Sequence, residues 1–285
     1  INGIEESDLI FLIGANPRYE ATILNARIRK SYLNNNTKIY SLNENGDLTY
    51  PYENFDGETQ TLVNIFEGNH EFSKNIIKSK KPIIIIGESF LRLNSAEHLY
   101  NKILNFLSQN NKFTDSWNPL NILSCDASSV GNFDLGLINK EKNLLKDLKS
   151  NKFEIIYLVG QDNIDFNKKD EFIIYQGSHG DKGAEIADII LPGAAYTEQD
   201  SHYTNLEGKV QKAYKASYPP GEAKEDWQII NEIAEFMNNR KLFNDKVELE
   251  SSMFNYLNLQ KEKQNNEVKN KFNGEFKSEK LLIDI

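Results

Sequence analysis

Phe172-Ile173-Ile174-Tyr175-Gln176-Gly177, continuing through Gly180 and Gly183 to Ile186-Ala187-Asp188-Ile189-Ile190-Leu191-Pro192-Gly193, decides how the chain folds. Phe172 to Tyr175 is a short apolar run and Ile186 to Leu191 is a second, each with the length and branched-residue content of a buried strand. Pro192 stops the second run, because proline donates nothing to a sheet ladder. Between the runs, Gly177, Gly180 and Gly183 give a loop whose backbone can take positive φ or lie close to another group. The stretch therefore reads as two buried strands joined by a glycine-rich loop. The glycines are open to two readings, turn geometry or a phosphate cradle. Their spacing is neither a Walker loop nor a dinucleotide loop, so turn geometry is the simpler.

Working outward, the same pattern recurs. Leu9 to Ile13 is closed by Gly14, Ile83 to Ile86 opens on Pro82 and is closed by Gly87, and Phe153 to Val159 is closed by Gly160. Lys38 to Leu42 and Asn121 to Ser124 are further strand candidates. Helical spacing falls between them: after Pro17 (Tyr19, Ile23, Ala26, Tyr32 or Leu33), over 60–66 and 70–78, over 95–109 (Ala96, Leu99, Tyr100, Ile103, Leu104, Leu107), over 140–148, and over 222–238 (Trp227, Ile230, Ala234, Met237). Residues 43–60 and 132–137 read as loops. Strands alternating with helices predict an α/β fold, a doubly wound, mostly parallel sheet with flanking helices over residues 1–240. Ligands of such sheets sit beyond the carboxyl ends of the strands, where these glycines fall. Residues 241–285 are rich in Lys, Glu, Asn and Gln and read as an extended or partly disordered tail, with Phe254, Tyr256 and Leu257 as anchors on a partner.

Composition narrows the function. The 285 residues are 39% hydrophobic, enough for a core, and the net charge of −9 excludes the basic surface that nucleic acid needs. The longest apolar runs are four to six residues, far from the ~20 of a membrane-spanning helix, so no direct membrane insertion is expected. Cys125 is the sole cysteine. It permits no internal disulfide and no iron–sulfur cluster built from this chain's thiolates. At the end of the run 120–124 it reads as a strand-end residue rather than a nucleophile. The weight of Asn, Lys and Ile suits an A/T-rich, organellar genome. The start Ile1-Asn2-Gly3 suits a mature chain, a fragment, or a protein made where it works.

No HExxH, GxSxG, Walker A or complete GxGxxG motif is present. His70, His98, His179 and His202 lack metal-ligand spacing, although His179 and His202 flank Ile186 to Leu191 and are open to meeting in space. Glu198 and Glu207 beside Asp200 are open to an acid and base role, or are solvated loop carboxylates. The residues therefore predict no catalytic, cofactor-binding or metal-ligating set.

A-D-I-I-L-P-G-A-A-Y-T-E (187–198) with T-N-L-E-G-K-V-Q (204–211), Leu12-Ile13-Gly14-Ala15-Asn16-Pro17-Arg18 running on to Asn25-Ala26-Arg27-Ile28-Arg29-Lys30, Lys80-Lys81-Pro82 before Ile83, and Pro219-Pro220-Gly221 before Glu225-Asp226-Trp227 resemble, in order, segments of the molybdopterin oxidoreductase superfamily. The likeness is nearest to the branch that lost the cofactor, the C-terminal part of the large iron–sulfur subunit of respiratory complex I. The resemblance implies a non-catalytic structural module of the peripheral arm, with no cofactor of its own. It also implies iron–sulfur clusters in a partner half, the N-terminal half as a separate chain, and other peripheral-arm subunits as neighbours. The setting would be the matrix side of the mitochondrial inner membrane or the cytoplasmic side of a bacterial membrane. Pterin-binding relatives use a G-x-N-P type loop, here Gly14 to Pro17, and an E-x-x-G-T-x-x-N type loop. Here the second is Glu198 to Asn205, with Ser201-His202 in place of Gly-Thr, a bulkier pair that disfavours a pterin. The competing readings are a fragment of an active, formate dehydrogenase-like enzyme and a nucleotide-binding α/β module. A sheet opened at its first strand would leave unpaired edges and demand an obligate complex.

Overall fold

The computed structural model describes residues 2–127, 129–137, 144–150, 152–163, 167–264 and 276–281. The chain divides into two compact units, Ile1–Ser129 with Val268–Ile285, and Val130–Glu267. The elements of the first are α1 (Asn2–Glu6), β1 (Leu9–Ile13), α2 (Pro17–Glu20), α3 (Thr22–Asn35), β2 (Lys38–Ser41), β3 (Glu53–Asn54), α4 (Thr59–Phe66), α5 (Glu71–Lys78), β4 (Pro82–Ile86), α6 (Glu88–Leu91), α7 (Ala96–Gln109) and β5 (Leu120–Ile122). The strands form one parallel sheet in the order β3-β2-β1-β4-β5. Every residue of β1 and β4 is buried, as uninterrupted apolar strands require cover on both faces. Phe11, Ile13, Ile84 and Ile86 pack under α4, α5 and α7. Ile10, Leu12, Ile83 and Ile85 pack under α1 and α3 through Ile4, Leu24 and Ile28.

Two expectations change here. The helix after Pro17 is interrupted at Ala21, whose extended backbone separates α2 from α3. Restarting at Thr22 shifts the phase of the stripe, so Leu24 and Ile28 face the core while Tyr19, Ile23 and Leu33 are exposed. The first strand is also not an opening: β1 lies at the centre of its sheet, paired on both sides, and the edges are β3 and β5. The loop 43–60 keeps little regular structure, yet it is anchored. Asn25 Nδ2 donates to the Leu48 carbonyl (3.0 Å), and the Tyr50 hydroxyl donates to Asn25 Oδ1 (2.7 Å).

The second run of elements is α8 (Ser129–Asp134), α9 (Leu144–Lys149), β6 (Ile155–Val159), β7 (Phe172–Gly177), α10 (Lys182–Glu185), β8 (Ile189–Pro192), β9 (Ser201–Thr204), β10 (Val210–Ala213), α11 (Asp226–Asn238) and α12 (Lys246–Gln264). β6-β7-β8 is a parallel sheet, and β9 with β10 is an antiparallel pair. The strands expected to share one sheet over 1–240 thus lie in two, because apolar runs identify strands but not which strands pair. α8 forms where a loop was expected. The start of the helix expected over 140–148 lies outside the described residues. The run Ile186 to Leu191 is strand only from Ile189: Ile186 and Ala187 pack into the core, and the Asp188 carboxylate accepts from the Ile173 amide (2.8 Å). β8 is largely exposed, not buried. In α11 the buried apolar residue is Ile229, while Ile230 and Met237 are exposed.

Within the stretch expected to be an extended or partly disordered tail, the described residues 246–264 are ordered otherwise. α12 is helical, tied by ion pairs Lys246–Glu225 (2.6 Å) and Lys212–Glu250 (2.8 Å), with Leu257 buried and Phe254 edge-on to His202. Phe276 and Leu281 join the core of the first unit. Side-chain pairing and two apolar contacts supply what the polar composition hides.

Candidate functional site

The chain leaves β1 for α3 on one face of the first sheet and leaves β4 for α7 on the other, so the switch point where doubly wound sheets take ligands lies between them. Here that place is closed by backbone. The Gly87 amide donates to the Ile13 carbonyl (2.9 Å). A Cβ at Gly87 would fall 1.9 Å from the Gly14 oxygen and 2.8 Å from Ala15 Cα. Gly14 takes φ +63°, and a Cβ there would lie 2.9 Å from the Phe90 nitrogen and 3.1 Å from a Leu281 methyl. Phe90 is wholly buried. Only glycine at both positions lets the two loops meet.

Around this contact the buried side-chain atoms left without a partner among the described residues are acceptors. Asn16 Nδ2 donates to the Asn45 carbonyl (3.2 Å), and Asn45 Nδ2 to the Ala15 carbonyl (3.2 Å) and Ser41 Oγ (3.0 Å). Oδ1 of each, and one carboxylate oxygen of Glu20, are buried with no hydrogen-bond partner among the described residues. Burial raises the Glu20 carboxyl above the usual range, and the Glu88 charge adds to it. Glu88 accepts from the Ser124 hydroxyl (3.0 Å) and the Cys125 amide (2.8 Å). Burial, then Glu20, Glu88 and Asp126, push the Cys125 thiol up to about 11. Exposed in the bend that follows β5, Cys125 is therefore a thiol at neutral pH and not an activated nucleophile.

In the second unit the glycine loop after β7 is filled by a side chain. Tyr175 is 1% exposed, and its hydroxyl donates to the His179 carbonyl (2.8 Å) and faces Asp162 Oδ2 (3.1 Å). A Cβ at Gly177 would lie 2.4 Å from the Tyr175 hydroxyl, and one at Gly183 would lie 2.8 Å from its ring. Gly177 is thus glycine because the tyrosine lies against it, and Gly183 because the Gln161 carbonyl (2.6 Å from a Cβ there) and the same ring both do. Gly180 has nothing within 4 Å. Burial and Asp162 push the phenol up to about 12. At the carboxyl end of β7, Asp226 accepts from Gln176 Nε2 (2.7 Å) and Gln199 Nε2 (2.9 Å), fastening the start of α11 there.

Residues 1–236 match the family model described as molybdopterin oxidoreductase. The chain belongs to the molybdopterin oxidoreductase family. Among curated relatives, the NADH-ubiquinone oxidoreductase 75 kDa subunit of Reclinomonas americana is 47% identical over 248 residues, 86% of this chain and 36% of that protein. The mitochondrial 78 kDa subunit of NADH-ubiquinone oxidoreductase of Candida albicans is 40% identical over 249 residues, 86% of this chain and 33% of that protein. A subunit of the NADH-quinone oxidoreductase of Rickettsia bellii is 39% identical over 254 residues, 89% of this chain and 36% of that protein. The chain spans about a third of the length of these relatives, each a subunit of an oxidoreductase by name.

The family's cofactor can be tried against these residues. A phosphate-bearing pterin needs donors and a gap at the switch point, and this edge offers orphaned acceptors, two carboxylates, of which Glu88 engages Arg92 (3.9 Å), and loops in backbone contact. The residues do not fit it. In the second loop of the molybdopterin oxidoreductase pattern, Glu198 accepts from the Ala195 amide (3.0 Å), Asp200 from the Lys215 amide (2.8 Å), and His202 packs on Phe254. Glu207 lies in the turn between β9 and β10. His179 contacts its neighbour Ser178 (2.9 Å), and His70 caps α5 through Nδ1, so each histidine has its own local partner. His98 stacks on Phe276. Among the described residues no group of three or more His, Cys, Asp or Glu is placed to hold a metal. The sequence reading placed Tyr175 in a strand and gave neither it nor Leu281 a role at a strand end; glycines two and eight residues after a tyrosine were the available signal for the first.

Proposed function

We propose that this chain is a non-catalytic structural module of the peripheral arm of respiratory complex I, corresponding to the C-terminal part of its large iron–sulfur subunit, with no active site and no cofactor of its own. The observation that carries it is the 47% identity over 86% of the chain to a NADH-ubiquinone oxidoreductase 75 kDa subunit. The closed strand edges of both units, and a lone, unactivated cysteine, support a scaffold rather than a reactive site.

The partners in this reading are a cluster-bearing N-terminal half as a separate chain and other peripheral-arm subunits. Support comes from the β6-β7-β8 sheet, where one face presents Ile155 at 63%, Val159 at 49%, Phe172 at 43% and Ile189 at 46% exposure. A parallel sheet persists with both faces covered, and an apolar face of this kind marks a contact surface. No described helix is long and apolar enough to cross a membrane. The module is held at the matrix side of the mitochondrial inner membrane, or at the cytoplasmic side of a bacterial one, by its neighbours. Affinity isolation of the tagged chain from native membranes in mild detergent tests this. NADH oxidation and iron–sulfur signals should travel with it. Bound molybdenum or tungsten, or an isolate free of respiratory subunits, would overturn the reading.

A further inference from the structure

The segment Phe276 to Leu281 follows a helix of the other unit in sequence but belongs to the first unit, and it crosses the carboxyl edge of the first sheet. Its contacts reach three loops of that edge, the one before α4 most of all. Lys280 bridges to Glu58 in antiparallel fashion, and the Leu281 amide donates to the Gly57 carbonyl (2.9 Å). The Thr59 amide donates to the Glu279 carbonyl (2.9 Å), and the Glu279 amide returns to Thr59 Oγ1 (2.7 Å). The amide side chain of Asn43, just past β2, donates to the Leu281 carbonyl. The Glu279 carboxylate accepts from Asn94 Nδ2 (2.8 Å), the Ser95 hydroxyl (2.7 Å) and the Ser95 amide (3.2 Å), at the turn between α6 and α7. The Leu281 side chain is 1% exposed and lies against Gly14.

We propose that Phe276 to Leu281 is a built-in plug: it seals, with the chain's own atoms, the outer side of the Gly14–Gly87 joint at the switch point of the first sheet, and it clamps the loops that a bound nucleotide-like ligand would otherwise order. Two features separate this from a tail that merely rests on a surface. Leu281 is directed at the glycine whose missing side chain makes room for it. Glu279 spans from the loop between β3 and α4 to the turn after α6, so the segment bridges positions on either side of β1 in the strand order. The proposal concerns the first unit alone and stands whether or not the complex I reading holds.

Hydrogen exchange on the 285-residue chain tests it, with Leu281→Asp and Glu279→Gln compared with the unmodified protein. In Leu281→Asp, exchange at Thr59, Ser95 and the amide of position 281 should rise at least about tenfold, while amides of β6 to β8 keep their rates. Glu279→Gln preserves shape and removes charge; it should raise exchange at Ser95 by a smaller factor, and it keeps the test open should Leu281→Asp fail to fold. Unchanged exchange at these amides in the folded variants would overturn the proposal. So would a saturable thermal shift of the unmodified chain with GDP or ADP accompanied by slower exchange at Thr59 and Ser95, since a sealed edge leaves such a ligand no place there.

Discussion

The carbonyl oxygen of Gly14 occupies the position that a side chain on Gly87 would need, 1.9 Å from its ideal Cβ. Both partners are backbone, and each sits at the end of a central, fully buried strand, so neither can move aside cheaply. Gly87→Ala should therefore destabilise by about 3 kcal/mol or more, at the upper end of overpacking costs, with a clear fall in Tm. Gly180→Ala, with nothing within 4 Å, is the control and should change Tm little. Equal effects of the two substitutions would contradict the closed-edge description.

Cys125 should be slow to alkylate despite its exposure, because burial and three nearby acidic groups hold its proton up to about 11. Iodoacetamide labelling followed by mass spectrometry should show little modification at pH 8 and a steep rise only above about pH 10, as thiolate forms. Glu88→Gln removes one of those charges and should speed labelling at pH 8. Rapid labelling of the unmodified chain at pH 8 would refute the assignment.

Glu20 is a carboxylate whose folded pKa lies above its unfolded value, with burial the larger cause. Its ionisation therefore opposes folding at neutral pH, and that cost fades as pH falls through the folded value toward the ordinary glutamate pKa of about 4. Glu20→Gln should raise Tm at pH 7.5 and lose that advantage near pH 4. A parallel offset at both pH values would point to packing instead.

Asp8 behaves in the opposite sense. Burial pushes it up, but hydrogen bonds from the Ser79 hydroxyl and the Lys80 (2.7 Å) and Lys81 (3.0 Å) amides outweigh that and hold it below the usual range. Glu279 is lowered mainly by Ser95, and Glu225 by Lys246 and Trp227 against the effect of burial. Depressed carboxylates lend stability above their unfolded pKa of about 4, and it is lost as pH falls through the folded values. Denaturant midpoints should drop on acidification below about pH 4, and Asp8→Asn, at an exposed site, should cost about 0.5–1.5 kcal/mol at pH 7 while shrinking that drop.

Tyr175→Phe deletes the hydroxyl that meets His179 and Asp162 and should cost about 0.5–1.5 kcal/mol. Tyr175→Ala empties the loop after β7 and should cost about 3–5 kcal/mol. Urea unfolding followed by circular dichroism measures both. A neutral Tyr175→Ala would mean the tyrosine does not hold the loop.

The α/β class, the parallel strands at Leu9, Ile83, Phe172 and their neighbours, and the helices at 60–66, 70–78 and 95–109 were legible from the chain alone, because each rests on local periodicity and on proline or glycine at its ends. So was the family, carried by four ordered segments that the match over 1–236 confirms. The lack of a thiolate set follows from one cysteine.

What only the tertiary structure decided is non-local. That the strands ending at Gly14 and Gly87 pair in one sheet, and those ending at Gly160 and Gly177 in another, depends on which helices cover which faces. That Gly177 and Gly183 accommodate Tyr175, and that Leu281 returns to Gly14, depends on distances no spacing encodes. A sequence states which residues prefer burial or a turn; it does not state what each buried group meets, and at these edges the meeting partner is what separates a ligand cradle from a closed joint.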